Sequence, residues 1–198
     1  MTLRLGLFGG TFDPIHLGHL EVVRAAFAEY QLQKVIFIPA FQSPFKYQSP
    51  EASAQDRLAM TRLALEGFSH PYEVSDWEIK QGRLCYTVEV LEWFRSLYPE
   101  AQLFWLMGAD GYDGFSKWKN PERILELADL LVAPRVGHDL GKLEKKAHKI
   151  NMEGVDLSST GIRQTIITSY DQACDKKIGI PLIVQQYIQK HRLYHRSF

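Results

Sequence analysis

The chain has 198 residues, 45% of them hydrophobic, with 23 Lys plus Arg against 23 Asp plus Glu. That length and composition suffice for a sizeable core in one unit, and the balanced charge provides no global field for nucleic acid or an anionic membrane. Cys85 and Cys174 form neither a disulfide framework nor a metal pattern and suit a reducing compartment, no apolar run approaches membrane-spanning length, and the short apolar N-terminus is broken by Gly9, Gly10 and Asp13. A cytoplasmic protein is expected.

In chain order, Leu3, Leu5, Leu7 and Phe8 make an apolar strand that runs into Gly9-Gly10, and a helix opens near Gly18. Lys34 to Ile38 is a β-branched run ended by Pro39, which reads as a buried parallel strand. Residues 39–52 hold three prolines and read as a long loop, after which Ser53 and Asp56 form a capping pair for a helix running to Gly67. Tyr72 to Ile79 reads as extended. Thr87 starts a helix with Val88, Leu91, Phe94 and Tyr98 on one face, stopped by Pro99. Gln102 to Met107 is a buried strand that ends in the loop Gly108-Ala109-Asp110. A helix around Pro121 to Ala128 leads to a strand from Leu130 to Ala133. Ser159 caps a helix to about Ser169, and Pro181 opens the last helix, to about His191.

This alternation predicts an α/β fold, a Rossmann-like doubly wound, mainly parallel sheet with helices on both faces. Without internal repeats or a shift in composition, one domain is expected over 1–198, its C-terminal helices (about 159–198) packed on the rest. Ligands of such folds sit beyond the carboxyl ends of the strands, so the loops after Phe8, Ile38 and Met107 should converge.

The segment Gly9-Gly10-Thr11-Phe12-Asp13-Pro14-Ile15-His16-Leu17-Gly18-His19 carries the most chemistry. Glycines admit close backbone approach, a helix N-terminus attracts anions, and His16 and His19 at i and i+3 share one face of the first turn. Taken singly, Gly-Gly is a turn and a histidine near a helix start is a cap. The whole combination reads as a phosphate site with imidazoles aimed into it. Zinc on His16 and His19 is the other sharp reading, but no third ligand stands at the expected spacing. Downstream, Ser158-Ser159-Thr160 before a helix is by itself a capping motif, while Arg163 one turn later can grip phosphate oxygens with its fork of donors. Lys46 lies in the long loop, where a flexible ammonium either stays solvated or reaches a leaving phosphate.

The first segment resembles the signature of the nucleotidyltransferase superfamily whose H-x-G-H motif binds ATP. Leu157 to Arg163 is similar to that superfamily's I-S-S-T-x-I-R. Over nearly the whole chain the pattern is closest to bacterial nicotinate-nucleotide adenylyltransferases. That resemblance implies ATP binding by Gly9, Gly10, Thr11, Phe12, His16, His19, Gly108, Asp110, Ser159, Thr160 and Arg163. It implies binding of the mononucleotide by Lys46, Tyr86, Thr87, Trp118 and Arg135, with Trp118 stacking on a pyridine ring. His16, His19, Lys46 and Arg163 are the expected catalytic set, and no metal-ligating residue is expected. Three positions depart from the family pattern: Phe45 replaces His beside Lys46, Cys85 replaces Ser before Tyr86-Thr87, and Lys80 stands where Arg is commoner. The closing run from Tyr187 to Tyr194 resembles the family's Y-I-x-x-H-x-L-Y.

The implied reaction moves AMP from ATP to nicotinate mononucleotide, yielding deamido-NAD and pyrophosphate. The attacking phosphate is already an anion, so no general base is needed, which matches a site of imidazoles, hydroxyls, Lys and Arg. Mg2+ bound mainly through ATP phosphates is the expected cofactor. Nicotinamide mononucleotide or phosphopantetheine as acceptor, and a non-catalytic ATP-binding regulator, are the competing readings. ATP and nicotinate mononucleotide are the expected partners, with no nucleic acid and no membrane; a homo-oligomer is left open.

Overall fold

The computed structural model describes residues 2–44, 49–138, 140–141, 143, 145–154, 156–168 and 178–195. Lys46 and its neighbour Phe45, as well as Cys174, lie outside the described residues. Six strands, β1 (Arg4–Gly10), β2 (Lys34–Pro39), β3 (Tyr72–Val74), β4 (Gln102–Gly108), β5 (Asp129–Ala133) and β6 (Ala147–Lys149), form one sheet in the order β3-β2-β1-β4-β5-β6. Every described strand pair is parallel. The order reverses between β1 and β4, so the crevice for a ligand opens where those two strands end.

Helices cover both faces of the sheet. On one face, α1 (Leu17–Tyr30), α2 (Ala54–Ala64), α7 (Ser159–Thr168) and α8 (Leu182–Lys190) contribute Val23, Met60, Ile162 and Val184 to an apolar layer over Phe8, Phe37 and Leu106. On the other, α4 (Thr87–Leu97) and α6 (Pro121–Leu127) bring Leu91, Phe94 and Ile124 against Leu5, Ile36 and Leu103. Period-2 alternation sends neighbours in each strand to opposite layers, and central strands buried on both faces read as continuous apolar runs. Short elements complete the chain: α3 (Trp77–Gln81), α5 (Ala109–Asp113) and a 3-10 turn at Phe115–Lys117.

Several expectations need correction. The first strand does not stop at Phe8; it continues through both glycines, with Gly9 paired to Ile38 and Gly10 to Pro39. Tyr72 to Ile79 is not one extended run. Strand β3 ends at Val74, and Trp77–Gln81 coil into a helical turn closed by Gly82 at φ 61. A stretch of alternating size mimicked a strand where one short turn suffices. The helix after Ser53 ends at Ala64, and Gly67 (φ 77) belongs to the turn beyond it. The cap of α7 is Ser158, whose Oγ accepts from the Gly161 N–H at 3.1 Å; the Ser159 hydroxyl instead donates to the Pro14 carbonyl at 3.0 Å.

Candidate active site

A cavity of about 460 Å3 opens at the carboxyl ends of the strands. Its walls bring together Gly9, Gly10, Thr11, Phe12, His16 and His19 from the β1–α1 segment, Gly108 and Asp110 after β4, Arg135 after β5, and Ser159 and Thr160 at the start of α7. Thr87 and Trp118 complete one end, beside Glu78 and Cys85. The starts of α1 and α7 therefore face one crevice, although the Leu17 N–H is already taken by the Gly179 carbonyl and the Gly161 N–H by the Ser158 hydroxyl.

The glycines matter here for space rather than for dihedral freedom. A Cβ on Gly9 would stand 2.5 Å from the Trp105 ring, one on Gly10 2.8 Å from the Phe12 ring, and one on Gly108 2.6 Å from the Asp110 carboxylate. Phe12 itself adopts φ 48, a left-handed conformation costly for an aromatic residue, and is fully packed among Phe8, Phe37 and His19.

The two histidines are stacked, their ring centroids 3.6 Å apart. The His16 backbone N–H donates to His19 Nδ1 at 3.1 Å. That bond requires Nδ1 to be unprotonated, which leaves the proton of a neutral His19 on Nε2 and makes that nitrogen the donor. His16 is 6% exposed; burial first, and then the Arg135 charge, lower its pKa to about 4, so its ring is neutral at physiological pH. Its Nδ1 is buried with no hydrogen-bond partner among the described residues. A buried ring nitrogen left so costs free energy unless something that enters the cavity satisfies it.

Arg135 reaches Asp110 Oδ2 at 2.8 Å across the cavity mouth. Glu78, also on the wall, is 5% exposed and its carboxyl is pushed up to about 8. Burial dominates that shift, against a backbone hydrogen bond accepted from Phe41 and the nearby charge of Arg57. The Cys85 thiol next to it is likewise raised, chiefly by burial.

Two expected site residues do not line the cavity. Arg163 donates through Nε to Glu51 at 2.8 Å and through Nη1 to the Asp13 carbonyl at 2.8 Å, which commits the guanidinium to the loop's reverse side. Tyr86 is the N-cap of α4, its N–H taken by Glu89 at 2.8 Å and its ring under the Lys119 ammonium, 4.3 Å from the centroid.

Other residues of the site carry no local mark in the sequence. Arg57 is 1% exposed and donates to four carbonyls, those of Thr11, Ala40, Phe41 and Ala52, thereby lacing together the loops after β1 and β2. Asp13, 3% exposed, accepts from the N–H groups of Glu51 and Ala52 and from the Tyr194 hydroxyl. For Asp13 and Tyr194 the only available signal was their place inside the two terminal motifs. Glu78 was concealed within an apparent strand.

The family model for cytidylyltransferase-like proteins matches residues 7–165, which include the whole β1–α1 segment and the start of α7. The chain is 35% identical over 200 residues to a probable nicotinate-nucleotide adenylyltransferase of Methylacidiphilum infernorum, covering 98% of this chain and 93% of that one. It is 37% identical over 204 residues to the probable nicotinate-nucleotide adenylyltransferase of Moorella thermoacetica, covering 96% and 91%. In fold it is similar to the solved Plasmodium falciparum nicotinic acid mononucleotide adenylyltransferase complexed with NaAD, with a TM-score of 0.80, 19% identity and 97% of each chain covered. By its sequence likeness over nearly its full length, the chain belongs to the nicotinate-nucleotide adenylyltransferase family of cytidylyltransferase-like nucleotidyltransferases.

Proposed function

We propose that this cavity transfers AMP from ATP to nicotinate mononucleotide, releasing pyrophosphate and forming the deamido dinucleotide. The observation that carries the reading is the convergence of the His16–His19 turn and the Ser159–Thr160 helix start on one crevice at the strand-order reversal. Relatives at 35% to 37% identity bear the name of this activity.

In this reading Gly9, Gly10, Thr11, Phe12, Ser159 and Thr160 cradle the triphosphate, and Gly108 and Asp110 lie against the nucleoside. Thr87, Trp118 and Arg135 take the mononucleotide, with Trp118 supplying a flat apolar face for the pyridine ring. A mononucleotide phosphate oxygen attacks the α-phosphorus in line; a new P–O bond forms as the bond to the β-phosphate oxygen breaks. The nucleophile arrives deprotonated, so no residue need act as base. His19 Nε2–H donates to oxygen on which charge accumulates, and its tautomer is set beforehand by the His16 N–H. Donors fixed before the reaction stabilise that charge without reorganising. Lys46 would join the leaving pyrophosphate from the loop after β2, and Arg163 would serve the site by holding that turn in place.

The donors of the cavity are imidazoles, hydroxyls and backbone N–H groups. No group of three or more His, Cys, Asp or Glu able to hold a metal occurs among the described residues. Mg2+ would enter on ATP and be held by its phosphate oxygens; Asp110, a half-exposed carboxylate on the wall, is paired with Arg135. Held in that way, Mg2+ would supply neutralisation of phosphate charge.

The test is pyrophosphate release from ATP and Mg2+ with nicotinate mononucleotide, nicotinamide mononucleotide and phosphopantetheine in parallel. Preference for the first supports the proposal. Turnover with phosphopantetheine alone, or ATP binding without turnover, refutes it. In the same assay His19→Ala lowers kcat by about a hundred- to a thousand-fold, the typical loss of one preorganised donor, with the fold retained.

A further inference from the structure

The segment that carries the two histidines has a reverse side, and that side is bonded almost entirely to residues far along the chain. The Thr11 carbonyl accepts from Arg57, the Asp13 carbonyl from Arg163, and the Pro14 carbonyl from Ser159. The Leu17 N–H donates to the carbonyl of Gly179. At the centre lies the Asp13 carboxylate, almost wholly buried, with Glu51 N–H on Oδ2 at 2.9 Å and Ala52 N–H on Oδ1 at 3.1 Å. Its third donor is the Tyr194 hydroxyl at 2.8 Å, from 181 residues further on.

We infer that Tyr194 is a positioning residue for the nucleotidyl-transfer step, acting through Asp13 on the turn that presents His16 and His19. The inference rests on the proposed phosphate role of that turn. Both ends of the link are held in costly backbone geometry: Phe12, beside Asp13, has φ 48 and Tyr194 has φ 62. Such conformations persist where the surroundings over-determine them, and they cluster at sites where placement matters. Tyr194 is itself buried. Burial and the Asp13 charge push its phenol far up, which keeps it a donor at every physiological pH. The tail thus contributes a permanent bond to the only carboxylate in the Gly9–His19 segment.

A hydroxyl of the same tail serves as the control. Tyr187 donates to Asp56 Oδ1 on α2 at 2.9 Å, a similar bond that does not touch the turn. Steady-state pyrophosphate release by the full chain, with ATP, Mg2+ and nicotinate mononucleotide, is compared for Tyr194→Phe, Tyr187→Phe and His19→Ala, and for Tyr194→Phe in the His19→Ala background. Tyr194→Phe should lower kcat by about tenfold, the scale of a sub-ångström misplacement of reacting groups, with KM for the mononucleotide unchanged. Tyr187→Phe should leave kcat unchanged. In the His19→Ala background Tyr194→Phe should cost far less than in the unsubstituted chain, because His19, one of the two groups it positions, is gone. Imidazole 15N shifts should show His19 as the Nε2–H tautomer in the unsubstituted chain and as a mixture in Tyr194→Phe. A wild-type kcat for Tyr194→Phe, or the same loss in both backgrounds, overturns the inference. A wild-type rate for His19→Ala overturns the site reading and this inference with it, whereas an inert Tyr194→Phe beside a crippled His19→Ala overturns this inference alone.

Discussion

Substituting Glu78 by Gln isolates a carboxyl that the fold buries in the wall of the cavity. In the folded chain this group titrates at about 8 against an ordinary value of 4.5. Between those values the folded state keeps a proton that the unfolded state has released, so stability falls as pH rises through the window and levels off above about 8. His16 works in the opposite sense: lowered from 6.5 to about 4, it makes stability fall as pH drops below 6.5. The two slopes oppose each other from 4.5 to 6.5, and above 6.5 that of Glu78 stands alone. At about 1.4 kcal/mol per pH unit, the stretch from 6.5 to 8 amounts to about 2 kcal/mol. Gln keeps an oxygen to accept the Phe41 backbone bond and cannot ionise. Urea unfolding of both proteins between about pH 6.5 and pH 9 should give a stability difference that moves by about 2 kcal/mol in favour of Glu78→Gln and then flattens. A difference that stays constant across that range would refute the assignment of a raised carboxyl.

Two further substitutions probe the walls. Gly9→Ala puts a methyl group 2.5 Å from the Trp105 ring, backed by a fully occupied core layer, and should destabilise by about 1–3 kcal/mol in chemical unfolding, with loss of activity as the ring is pushed into the cavity. Trp118→Ala should raise KM for the mononucleotide by about tenfold through the loss of a stacking face, measured as pyrophosphate release, while KM for ATP stays near its starting value.

The sheet and its main helices could be read from sequence because their signals are local and long. Four central strands are continuous apolar runs, and α4 keeps its apolar residues on one face. Elements of three to five residues, such as β6, α3 and α5, contain too little chain for either period to show. The glycine–histidine segment was legible for a related reason: its chemistry sits within eleven consecutive residues. Arg57 was not. In sequence it is one charge between Asp56 and Leu58 on an ordinary helix, and only the fold delivers to it carbonyls from Thr11 and Ala40, 46 and 17 residues away. Glu78 and Tyr194 share that difficulty, since burial by distant segments gives each its property.

The fate of the arginines changes what kind of anion site this is. From sequence, Arg163 stands ready to grip phosphate; in the fold its donors go to Asp13 and Glu51, and those of Arg57 go to four carbonyls. His16 is neutral. Among the described residues on the cavity wall, Arg135 alone carries a full positive charge, and Asp110 already partners it. Among the described residues, then, the wall offers an anion chiefly oriented imidazole, hydroxyl and backbone donors. Such donors work only if the backbone that holds them cannot relax. That requirement gives the charges of Asp13 and Arg57, both buried, and of the half-buried Arg163 a common role: each fixes the loops that line the cavity.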